Sequence, residues 1–103
     1  MGNKNIAEEI LNINELWENT DKITMAENVE YFLCLKYPEC KAYKAKMKRL
    51  EEITGSQKDS VYAWINRSRG RVKVPLLKLC KIALALNVDI KEMFVRRSQK
   101  EIE

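Results

Sequence analysis

At 103 residues the chain has room for one small domain built around a single core. Hydrophobic residues make up 46% and charged residues 33%, which suits a globular protein better than a disordered one, and no apolar run approaches the length that crosses a bilayer. Residues 1–35 hold two lysines against seven acids, a net −5, while residues 36–103 hold seventeen basic side chains against eight acids, a net +9. An imbalance of this kind implies that one part of the molecule addresses a polyanion and another does not.

Catalytic chemistry finds little footing. There is no histidine, so the usual proton shuttle and the commonest metal ligand are both missing. Cys34, Cys40 and Cys80 contain no C-x2-C pair, and no signal-like apolar segment precedes them. They are expected to stay thiols in a reducing cytosol and to pack as small hydrophobes. Gly2 is followed by Ile6 where a myristoylation signal needs Ser or Thr. Gly2, Gly55 and Gly70 are too scattered for a phosphate loop, and the adjacent acids Glu51 and Glu52 diverge on a helix. The expectation is a protein that is not an enzyme and uses no metal or cofactor.

Few glycines and prolines interrupt the chain, and the pattern is helical throughout. Ile6, Ile10, Ile13 and Trp17 recur at four, three and four, forming one apolar stripe on an acidic helix. Thr24 and Glu27 have capping-box spacing and open a second helix with Val29, Phe32 and Leu33 inward. Tyr37-Pro38 closes it, because a residue before proline avoids the α region.

A third helix is predicted over 40–55, with Tyr43, Met47, Leu50 and Ile53 or Thr54 as its apolar side. Gly55 stands where a left-handed C-terminal residue is needed, and Ser56 is placed to cap a fourth helix over 57–66. In that fourth helix Val61, Trp64 and Ile65 share one face, so they belong to the core. Two helices joined through so short a turn match the helix-turn-helix signature. RSRGRVKV at 67–74 forms a basic loop, and a strongly apolar fifth helix begins near Pro75 with Leu76, Leu79, Ile82, Ala83 and Leu86 on one side. Asn87 ends that helix, and Asp89 with Glu92 opens a last short one.

From about Met47 to Phe94 the sequence resembles the Cro/lambda-repressor-like helix-turn-helix family, through LEEITG at 50–55, SVYAWIN at 60–66 and LCKIALALNVDIKEMF at 79–94. The resemblance implies an all-α fold, a compact five- to six-helix bundle with its motif at 42–66 and the family's first helix at 25–36. It divides the chain into an acidic amphipathic extension (1–22), a helix-turn-helix domain (23–97) and a polar tail (98–103).

In that family the second motif helix lies in the DNA major groove while the helix before it crosses the backbone. The resemblance therefore makes Gln57, Lys58, Asp59, Tyr62 and Ala63 the base-contact candidates, and gives Asn66 a phosphate. By donor and acceptor pattern, Lys58 suits guanine and Gln57 suits adenine. Asp59 suits cytosine N4, or serves only to place a negative charge at the helix N-terminus. Lys44, Lys46 and Lys48 before the recognition helix, and Arg67, Arg69, Arg71 and Lys73 after it, are candidate phosphate ligands. Three features depart from the pattern: Met47 replaces a frequent polar phosphate contact, Glu51 replaces a small residue between the motif helices, and the 67–74 loop is long.

The expected function is a sequence-specific transcriptional regulator, a Cro or repressor type of bacterial or phage origin. Its expected partners are double-stranded DNA and a second copy of itself. The alternatives are an antitoxin-like operator binder that holds a protein partner through its N-terminal helix, and a helical interaction module that has lost DNA binding. The acidic first helix either mediates dimerisation or covers an open side of the bundle.

Overall fold

The computed structural model describes residues 5–65 and 72–96, and all the regular structure among them is helical. In chain order come α1 (Ile6–Asn19), α2 (Lys22–Lys36), a 3-10 turn (Pro38–Lys41), α3 (Tyr43–Thr54), α4 (Lys58–Ile65), α5 (Leu76–Leu86) and a second 3-10 turn (Ile90–Phe94). Among the described residues no helix is long and apolar enough to cross a membrane.

Local chemistry sets most of the boundaries. Asp21, not Thr24, caps α2: its carboxylate accepts from the Thr24 amide at 3.0 Å and from the Thr24 hydroxyl at 2.6 Å. The capping box predicted at Thr24 therefore shifts three residues toward the N-terminus, because a carboxylate in the preceding turn outcompetes a hydroxyl for the free amides. Pro38 directs the chain into a 3-10 turn, so α3 starts at Tyr43 and not near Cys40. Gly55 adopts φ 71 at the end of α3, and Asn87 adopts φ 58 at the end of α5, both left-handed as expected from their residue types. Pro75 is the residue before α5 and not its first turn. The final element is a 3-10 turn, with Asp89 accepting from the Lys91 amide at 2.9 Å.

One core joins α2 through the second 3-10 turn. Leu33, Leu50, Val61, Leu79, Ile82 and Met93 are fully enclosed, each contributing about 1.5–3 kcal/mol of burial. The expected inward faces hold at Val29 and Leu33, at Met47 and Leu50, and at Leu79, Ile82, Ala83 and Leu86. Tyr43 departs from the pattern, being half exposed, and Phe32 and Leu76 are only partly buried. Asn28 is a buried polar side chain on α2. Its amide donates to the carbonyls of Met93 and Val95, each at 2.8 Å, which fixes the last turn against α2.

The acidic helix α1 buries none of its residues. It is held at its C-terminal end, where the Trp17 indole N–H donates to the Val74 carbonyl at 2.7 Å. Lys73 reaches back over the same ring at 4.7 Å and donates to the carbonyls of Trp17 and Glu18 at 2.9 and 2.8 Å. An ammonium on the last carbonyls of a helix satisfies acceptors that have no partner within it.

Candidate nucleic-acid interface

The turn between α3 and α4 is built from a chain of short-range bonds. The Thr54 hydroxyl is buried, donates to the Leu50 carbonyl at 2.7 Å and accepts from the Ser56 amide at 3.2 Å. Lys78 of α5 then donates to the Thr54 carbonyl at 3.0 Å, tying the turn to the rest of the bundle. With Gly55 in the left-handed region, the chain reverses within three residues and α4 begins at Lys58.

Rotation of α4 about its axis is fixed by Val61, Trp64 and Ile65, all buried. A helix pinned along one side must show the other side to solvent, and Gln57, Lys58, Asp59, Ser60 and Tyr62 are exposed. Ala63 is half-buried, so of the five base-contact candidates it has the least reach. Asp59 sits in the first turn, where a carboxylate opposes the positive end of the helix dipole whatever else it touches.

The structure adds Tyr43, which the sequence pattern had assigned to the core. Burial, and then the charge of Tyr62, push the Tyr43 phenol above the ordinary tyrosine range. Both are partly exposed, and together they put aromatic surface beside the exposed side of α4. The signal available in the sequence was weak: Tyr43 follows the helical spacing of Met47 and Leu50, yet the fold leaves it half exposed.

The cationic candidates divide into two groups. Lys44 and Lys48 lie one turn apart on α3 with exposed side chains. Lys46 instead forms a 3.0 Å ion pair with Glu30 of α2, with only 15% and 16% of the two side chains exposed. Lys73 is occupied by the end of α1. Arg49, also on α3, lies 4.0 Å from the Tyr37 ring, 3.4 Å from Glu39 and 3.9 Å from Glu52. Asn66, Arg67, Arg69 and Arg71 lie outside the described residues.

Among the described residues there is no cluster of cysteine and carboxylate side chains fit to hold a metal ion. The three cysteines are free, and burial pushes the Cys40 and Cys80 thiols up, away from the thiolate form a nucleophile needs. In Cys40 the neighbouring Glu39 carboxylate adds to that effect. No family model, curated protein or solved structure matches this chain.

Proposed function

We propose that the chain is a sequence-specific double-stranded-DNA-binding regulator of the lambda-repressor-like kind, with α4 entering the major groove. The observation that carries this reading is the orientation of α4. Its apolar side is locked into the core while Lys58, Asp59 and Tyr62 project from a helix that follows a three-residue turn, with Gln57 exposed at the end of that turn. Gln57 and Lys58 carry the donor patterns that match purine edges, and Asp59 is an acceptor for cytosine N4. Lys44 and Lys48 flank the groove on the α3 side, and Arg67, Arg69 and Arg71, which follow α4 in the sequence, add further cations for phosphates. The DNA-bound form is a dimer, because a single recognition helix reads too short a site.

The test is selection of bound duplexes from a random pool at stated salt. Recovery of one site, in two half-sites about 34–36 Å or a multiple of that apart, supports the reading. A second reading, a helical interaction module that does not bind DNA, is favoured by the internal engagement of Lys46, Arg49 and Lys73. A folded chain indifferent to every duplex in the pool would establish that alternative.

A further inference from the structure

Besides Leu35 of α2, which is 63% exposed, large aliphatic side chains stand exposed on two helices of opposite charge. The first two turns of α1 present Ile6, Ile10 and Leu11, which are 72%, 57% and 67% exposed. The outer side of α5 presents Leu77 and Leu84, 72% and 82% exposed, with Lys81 one turn from each end of that pair. The three side chains of α1 and the two of α5 form two separate exposed aliphatic patches, surfaces of the kind that association covers.

The α1 stripe continues an interface that already exists. Trp17 packs half-buried against the core and Ile13 is partly buried, whereas Ile6 and Ile10 on the same stripe remain exposed. The helix therefore carries an apolar face further than its own domain covers it. That arrangement is stable only if something else takes the remaining two turns, or if the exposed side chains are tolerated in water.

Charge decides what that occupant is. Residues Ile6–Asn19 contain four glutamates and no basic residue, so two α1 helices repel one another. Residues Leu76–Leu86 contain Lys78 and Lys81 and no acid, and Lys36 donates to the Ala85 carbonyl at 3.0 Å on the same helix. Two α5 helices repel for the same reason, but α1 against α5 unites opposite signs with aliphatic on aliphatic.

We infer that this chain forms a two-fold dimer in which the first two turns of α1 from each copy pack on the outer face of α5 of the other. The contact occurs twice, so each copy buries both of its patches, and the exchange closes without leaving an edge for further growth. Two such contacts with their polar rims approach the standard interface of about 800 Å² per partner. The dimer does not require DNA, so its failure and the failure of operator binding are separately visible.

The full chain is examined by sedimentation equilibrium, with circular dichroism to verify that each variant keeps the helical fold. The wild type is expected to be a dimer that loosens as salt rises. Leu84→Glu and Ile10→Lys each weaken the dimer about tenfold or more, and both stay folded because the substituted positions are exposed. An equimolar mixture of the two variants restores dimerisation, since it retains one unaltered contact and sets the introduced carboxylate opposite the introduced ammonium. A monomeric wild type, assemblies larger than two, a dimer indifferent to Leu84→Glu, or a mixture that stays monomeric each overturns the arrangement.

Discussion

The indole N–H of Trp17 donates to the Val74 carbonyl at 2.7 Å, and Lys73, the residue before Val74, lies over the same ring. Residues 56 positions apart thus anchor α1 to the strand of chain that leads into α5. The arrangement takes Lys73 out of the set of cations facing a ligand and makes it part of the scaffold.

Replacing Trp17 tests that anchor. Trp17→Ala removes the hydrogen bond, the cation–ring contact and the packing of a half-buried aromatic. A loss of about 2–4 kcal/mol is expected in urea unfolding. Trp17→Phe keeps most of the packing and loses about 1 kcal/mol. A Trp17→Phe variant as stable as the wild type would show that packing, and not the bond to Val74, holds the helix.

The lysines of α3 separate by what they touch. Lys44→Ala and Lys48→Ala leave stability within about 0.5 kcal/mol of wild type and reduce the salt slope of DNA binding by about one unit each. Lys46→Ala breaks a largely buried pair with Glu30 and lowers stability by about 1–3 kcal/mol. Denaturation curves and binding titrations across salt concentrations distinguish the two classes. A salt slope that ignores both Lys44 and Lys48 removes α3 from the DNA-facing surface.

Lys58 supplies the sharpest test of base reading. Lys58→Ala is expected to cost about 1–3 kcal/mol at one base position and to relax preference there alone. Binding-site selection before and after the substitution measures this. Weakening spread evenly over all sequences would mark Lys58 as a phosphate ligand instead.

Asn28 holds the C-terminal turn through two carbonyls in a buried site. Asn28→Ala leaves Met93 and Val95 without that donor and is expected to destabilise the fold by about 2–3 kcal/mol. Asn28→Asp is worse still, because it sets acceptor oxygens against acceptors. Amide exchange in residues 90–95 should rise most in both variants, and uniform exchange throughout would contradict a local clamp.

Asp21 gives stability a pH dependence. The hydrogen bond from the Thr24 side chain is the main influence holding its carboxyl below 3.8; burial opposes it, and Arg96 adds a smaller attraction. A folded pKa below the unfolded one means that the unfolded chain takes up the proton first. The contribution is therefore complete above about pH 5 and is lost as pH falls through 3.8 and below. Asp21→Asn should flatten this acid limb while retaining an acceptor for the cap, and Asp21→Ala should also cost about 1 kcal/mol at neutral pH. An unchanged acid limb in Asp21→Asn would assign the dependence to other carboxylates.

Local patterns alone determined the helical class, the left-handed ends at Gly55 and Asn87, and the buried side of α4. Each rests on interactions within a few residues: a Cβ-free residue where φ is positive, or apolar side chains one turn apart. The exposure of Gln57, Lys58 and Tyr62 followed from the same spacing, since burying Val61, Trp64 and Ile65 leaves the opposite side in water. Tertiary structure decided what spacing cannot encode. Lys46 and Lys48 are alike in sequence, yet only Lys46 comes within reach of Glu30 on another helix. Tyr43 keeps core spacing but is half exposed, and Lys73 belongs to a basic run but serves the end of α1. A charged side chain's role depends on which carboxylate, carbonyl or ring the fold brings within a few ångströms, and distant parts of the chain supply those partners.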